Sequence, residues 1–529
     1  MKKISTLFAA TMLSLSAMAT DYTEPLTVVL NGMDIDCDKV QVAVDEESDG
    51  SYTFTLNNFQ FMGGGVGNIV VKNVKATECG IIKALDADEI ITISEGNDPE
   101  IKSWLGPSLG EVGIYMNGQI KGDKLNAVLK IDAGSALDIL VKLGDKANEL
   151  GQIPNSGFED YHTASYKDDT SDEPNAWHSF MSSTGKLASA VSSTKHTFIA
   201  EEARPGSEGQ RSVQIVSGMA LGIVPANGTL TTGRLNAGNI SATNTDNNSF
   251  TDLSNTDTDG NGDPFYTVLT NTPDSIALWV KFKQGTLADK NKDYKYATVS
   301  AILTDGTRYQ DPEDKEYTNV AAKAKCATIE SNDFTWQRIV VPFDYATYAA
   351  NNVSPKAIHV TISTNAQPGV GSKDKNDPDQ LFVDDMSLIY NSKLKSLKFN
   401  GKDIEDFDAN KYSYKVEGTG LLNLDDDNLF EAEADGHGAI IYEDYEENED
   451  HSVTATITVL SNDLKDSHVY EVNITNAYLT AVNSTKADNK RHEAVAIYNL
   501  NGQNVDTMKA GEIYIVKYAD GKTEKVAVK

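Results

Sequence analysis

Apolar residues recur at every second position through long stretches of this chain, and that period confines it to β-structure. Tyr52, Phe54 and Leu56 alternate with polar neighbours, as do Val112, Ile114 and Met116, and then Leu125, Ala127, Leu129 and Ile131. Successive side chains of a strand point to opposite faces, so this spacing buries one face and wets the other. Residues 275–282, 336–343 and 357–362 read as further strands. Asn117-Gly118 predicts a hairpin turn. The cluster 63–67 (Gly-Gly-Gly-Val-Gly) has no Lys-Ser/Thr and no helix after it, so it reads as a flexible turn and not a phosphate loop. At 529 residues the chain is too long for one core, which predicts an all-β, multi-domain protein.

A formal net charge of −32 excludes nucleic acid as a partner, since a phosphate backbone needs basic side chains to replace its counterions. It argues equally against anionic membrane surfaces. Lys2 and Lys3, the apolar stretch from Ile4 to Met18 and the small-residue site Ala17-Met18-Ala19 predict a signal peptide over 1–19, and hence an exported protein. No later run approaches the about 20 apolar residues of a spanning helix, so no transmembrane segment is expected. Cys37, Cys79 and Cys326 lack metal-ligand spacing. Two readings stand for them: a Cys37–Cys79 disulfide, or three separate thiols.

No nucleophile elbow, no HExxH and no cysteine with a placed histidine occurs. The histidines are scattered, with His162 and His178 early in the middle of the chain and His437 and His451 late. The acidic run 443–450 reads as a solvated loop. A glycoside hydrolase needs only two carboxylates, so that activity stays open as an alternative.

Residues 20–135 resemble the calycin-like β-barrel domain of secreted Bacteroidetes proteins, through 26–32 (Leu-Thr-Val-Val-Leu-Asn-Gly), 67–71 and Trp104-Leu105-Gly106. Residues 150–392 resemble a carbohydrate metabolism domain of Bacteroidetes surface proteins, a jelly-roll β-sandwich like those of carbohydrate-binding modules. The residues that carry this likeness are 155–159 (Asn-Ser-Gly-Phe-Glu), Trp177, 263–266, 273–275, 279–282, Trp336 and Asp384-Asp385. Residues 393–478 resemble a cadherin-like or immunoglobulin-like sandwich. Residues 479–529 resemble a type IX secretion sorting tail, through 496–503, 511–516 and 525–528.

The jelly-roll resemblance implies that 155–159 and 381–388 are neighbouring terminal strands whose acids hold a structural Ca2+. Glu159 and Asp385 are the candidate ligands, with Asp384 as alternate, because alternation lets only one aspartate face Glu159. A weaker candidate is 257–263, where Asp257, Asp259, Asn261 and Asp263 copy the opening of an EF-hand loop. Val268 stands where its bidentate acid belongs. Glycan binding calls for aromatic faces beside polar groups, and Tyr266, Tyr294, Tyr296 and Tyr309 sit next to polar loops. Trp279 and Trp336 lie in apolar runs and read as core. The implied function is non-catalytic recognition of a polysaccharide or glycan at the cell surface. The alternative is an adhesin or scaffold that binds other surface proteins or host protein.

Overall fold

The computed structural model describes residues 19–134, 137–192, 194–422, 429–450, 452–478, 494–499, 505, 513–518 and 523–527. The predicted leader lies outside these residues except for Ala19. The chain divides into two compact units, the first running to residue 147 without 78–84, the second holding the remainder.

Eight strands, which belong to the first unit apart from residues 78–79 and 82–84, close into a barrel in sequence order: Thr20–Leu30, Met33–Glu46, Tyr52–Phe61, Gly64–Cys79, Ile82–Thr92, Glu111–Lys121, Lys124–Asp132 and Asp138–Leu143. The last pairs antiparallel with the first, Val28 opposite Val141. Leu26, Val28, Tyr52, Phe54, Val112 and Ile114 fill the interior, as the alternation requires. Two local readings change. Asn117-Gly118 lies inside a continuous strand, opposite Val128 and Ala127, and the hairpin turns instead between Lys121 and Lys124. Of the glycine cluster only Gly63 sits in a turn; Gly64 begins the next strand. All three cysteines are free thiols.

In the second unit two five-stranded sheets pack face to face. One has the strand order Thr197–Ala200, Ser212–Val216, Gln380–Ile389, Ser275–Lys283, Gln337–Pro342. The other runs Thr229–Thr231, Ala357–Ser363, Ala297–Thr304, Val320–Ile329, with Thr267–Val268 beside Ala357–Ser363. Ile276, Leu278, Val280, Val299, Ala301 and Val360 lie between them in one core. The second sheet has its outer face covered by a three-stranded sheet, Arg234–Ala237, Asn247–Thr251 and Tyr309–Asp311. There Ser249 Oγ lies 2.9 Å from His359 Nε2 and 2.7 Å from Thr361 Oγ1, and burial pushes the His359 imidazole down to about 4. Among the described residues no further sheet is recorded over the outer face of the first sheet, where Trp279 and Phe382 are half-buried.

The same unit continues into a smaller sandwich of a three-stranded sheet (Leu394–Phe399, Lys402–Asp403, Phe430–Ala434) and a four-stranded one (Ser413–Leu421, Ser467–Tyr478, Val453–Leu460, Ile440–Glu447). Part of the expected acidic loop is therefore strand, and burial raises the Glu443 and Asp444 carboxyls. Ala494–Asn499, Ile513–Tyr518 and Thr523–Ala527 form a three-stranded sheet; residues 500–503, 511–512 and 528 of the expected tail lie outside the described residues. Among the described residues no helix is long and apolar enough to cross a membrane.

Candidate functional site

The two distant motifs meet, although 155–159 is a turn and not a strand. Asn155 and Phe158 take φ of +48° and +55°. The Asn155 amide donates to the carbonyls of Asp160 at 2.9 Å and Asn175 at 3.1 Å, which locks the turn. Phe158 is buried against Trp177, ring centroids 5.2 Å apart. The turn then docks on the last strand: Met386 N–H donates to Ser156 O at 2.9 Å, and the Gln152 amide makes two bonds with the Leu388 backbone at 2.9 and 2.7 Å.

At this junction the pairing of Gln380–Ile389 with Ser275–Lys283 shifts register, and Asp385 adopts φ +41°. The bulge suspends strand alternation, so both aspartates reach the same neighbour. Asp384 is fully buried; its Oδ2 accepts the Arg204 N–H at 2.7 Å and its Oδ1 the Asp385 N–H at 2.8 Å. Asp385 Oδ2 accepts Arg204 Nε at 2.5 Å. Glu159 Oε1 accepts the Gln210 and Arg211 N–H groups at 2.9 and 3.0 Å. Gly209 makes room for that carboxylate, since a Cβ there would stand 2.1 Å from Oε1. Burial first, then the charges of Asp385 and Glu159, lift the Asp384 carboxyl to about 6, against the pull of the N–H donors.

Oxygen donors suit calcium, which asks for six to eight of them. Here N–H donors and a guanidinium already bond Glu159 Oε1, both Asp384 oxygens and Asp385 Oδ2, and Arg204 serves as the local cation. The residues present do not fit a calcium cage. Among the described residues no three His, Cys, Asp or Glu side chains stand as a ready-made metal-binding group.

Arg204 also leads onto the outer face of the first sheet, with its guanidinium 4.9 Å from the Trp279 ring centroid. Trp279, Lys281 and Phe382 project outward because their neighbours Leu278, Val280, Leu381 and Val383 fill the core. Lys281 Nζ lies 4.4 Å from the Phe382 centroid, 5.0 Å from Phe334 and 5.5 Å from Trp336, and pairs with Glu202 at 2.9 Å. All four aromatic residues are half-buried, and Arg338, opposite Trp279, is exposed. Trp279 and Trp336 thus belong to a surface and not to the core. The sequence signal was available in the alternation Trp279, Lys281, Lys283, but the apolar residues around it masked the pattern.

The tyrosines divide. Tyr266 and Tyr309 are buried, and the Tyr309 hydroxyl donates to Glu313 at 3.0 Å. Tyr294 is exposed, and Tyr296 lines a surface cavity of about 590 Å³ with Gln284, Lys292 and Asp293. In the 257–263 loop, Asp257 pairs with Arg234 at 2.6 Å, and Asp263 Oδ2 accepts from Ala176 N–H and the Asn261 amide. Asp259 turns inward instead, to within 3.3 Å of both His162 Nε2 and His178 Nε2.

Residues 18–143 match the calycin-like beta-barrel domain family, the segment that forms the closed barrel. No curated protein matches the chain. Among solved structures, a "putative glycoside hydrolase" from Bacteroides thetaiotaomicron is 13% identical and covers 53% of this chain and 87% of its own, at a TM-score of 0.30. A likeness that remote carries no argument about activity.

Proposed function

We propose that this chain is a non-catalytic glycan-binding protein whose binding surface is the outer face of the first sheet. The observation that carries the reading is the grouping of Phe334, Trp336 and Phe382 round the buried Lys281, with Trp279 beside Arg204 on the same face. Half-exposed aromatic rings offer flat apolar area to the C–H faces of sugar rings, while nearby charged and amide groups bond hydroxyls and fix orientation. Gln214, opposite Phe382, and Arg338, opposite Trp279, are placed for the second task. Export to the cell surface fits such a role and rests on the basic and apolar leader together with the sorting-like tail.

The test is affinity electrophoresis and tryptophan-fluorescence titration of the full chain against a panel of polysaccharides. At least one glycan binds, and Trp336→Ala and Phe382→Ala each weaken it tenfold or more, about 1.4 kcal/mol or above. Tyr309→Phe, in the covered region, leaves binding unchanged. Binding to a protein ligand with no response to any glycan would favour the adhesin reading instead.

A further inference from the structure

We propose that His162, His178 and Asp259, with Glu173 beside them, form a buried site for a first-row divalent metal ion of the zinc class. The residues come from three places. His162 and Glu173 face each other on the hairpin Tyr161–Tyr166/Asp169–Pro174, His178 follows in the next turn, and Asp259 arrives from the 257–263 loop. Asp259 Oδ2 lies 3.3 Å from each Nε2, and Glu173 Oε2 lies 3.9 Å from His162 Nε2. The His162 side chain is 8% exposed and the other three 0%.

Two independent features point to an ion between these atoms. First, His162 Nε2, His178 Nε2 and Asp259 Oδ2 are buried without a hydrogen-bond partner. Buried polar atoms normally have one, and the 3.3 Å approach of each imidazole to Asp259 falls short of well-formed hydrogen-bond geometry, so a simple ion pair leaves the group poorly satisfied. Second, tetrahedral ligands at about 2.0–2.1 Å from zinc stand about 3.3 Å apart, the separation seen here on two edges. Among the described residues no three such side chains already converge as a metal-binding group, so ligation requires the two rings and the carboxylate to turn toward a common point.

The supporting contacts suit ligation. His162 Nδ1 lies 3.2 Å from Asn175 Oδ1, which calls for a proton on Nδ1 and leaves a lone pair on Nε2. Asp259 Oδ1 accepts the Asn261 and Asp263 N–H groups at 2.9 Å each, which turns Oδ2 toward the rings. Glu173 Oε1 accepts Ser179 N–H at 2.8 Å and Ser179 Oγ at 2.5 Å, and its Oε2 accepts Ser182 Oγ. Two imidazoles select zinc, copper or nickel over calcium. Burial makes the site structural: the ion would pin the 257–263 loop to the hairpin.

The experiment uses the full chain without a histidine tag, dialysed after addition of Zn2+ alone or Ca2+ alone. Plasma mass spectrometry then counts retained metal, and a melting curve follows each sample. One zinc is retained per chain and raises the melting temperature, while calcium does neither. His178→Gln and Asp259→Asn each lower retention at least tenfold, and Asp257→Asn in the same loop retains zinc in full. No zinc retained by the wild type overturns the proposal, as does retention that calcium matches. Full retention by His178→Gln overturns it too, and should that variant misfold, the wild-type count decides.

Discussion

Asp384 keeps its proton longer in the folded chain than in the unfolded one, since its carboxyl titrates at about 6 against an ordinary 3.8. A folded pKa above the unfolded one favours folding at low pH, and the contribution is lost as pH rises through that window. Asp384→Asn cannot titrate, so its stability changes less than wild type between about pH 4 and pH 7. Urea midpoints across that range read the difference, and parallel pH profiles would remove Asp384 as its source. The acid pair itself was legible as Asp384-Asp385 in a strand-like run. Arg204 was not, because strand alternation forbids one partner from meeting adjacent residues, and only the φ of +41° at Asp385 permits it. The same limit hid the histidine site: His162, His178 and Asp259 have no fixed spacing and converge only when a hairpin, a turn and a distant loop fold together.

Strands are the element that sequence states most plainly. The period-two runs at Tyr52 and Val112 became barrel strands with those residues inside. Turn chemistry was less reliable. Asn117-Gly118 has the composition of a tight turn, yet its pairing with Val128 and Ala127 keeps it extended. Gly118 is there for space: a Cβ would stand 3.0 Å from Asn126 O and 3.2 Å from the Ala127 Cβ. Neither atom can swing away, since one is backbone and the other is rooted on it. Gly118→Ala therefore destabilises the barrel by about 1–2 kcal/mol, overpacking outweighing the entropy gained from a stiffer unfolded chain. Were the dipeptide a turn, the same change would leave the denaturation midpoint of the barrel unit in place. The acidic stretch shows the converse. Glu443 and Asp444 look like loop residues, but Ile440–Glu447 pairs along its full length with Val453–Leu460, and that partner cannot be seen locally.

Modules were readable from composition, but their attachment within the second unit was not. Asp274, quoted above only as part of a resemblance, ties the jelly roll to the small sandwich. Its Oδ2 accepts Asn391 N–H at 2.7 Å and its Oδ1 accepts His437 N–H at 2.8 Å. The His437 ring stacks on Tyr345 at 3.8 Å, and Asn462 bonds the Thr272 N–H and the Asn271 amide from the sandwich side. Burial raises the Asp274 carboxyl, so the two N–H donors are what keep a charge tolerable there. Hydrogen bonds to a charged group contribute about 1.5–3 kcal/mol each, and the two here act on one side chain. Asp274→Ala thus leaves two backbone donors unmet and lowers stability by about 2–4 kcal/mol. The loss falls on the junction of the two sandwiches, through the Asn391 bond at the end of the jelly roll and the His437 bond across to its neighbour, and not on either core, whose buried residues form separate clusters. Calorimetry on the full chain separates the cases: in the wild type the jelly roll and sandwich melt in one transition, and in Asp274→Ala that transition splits in two. A variant that still melts as one, at an unchanged temperature, would mean the modules hold together without this carboxylate.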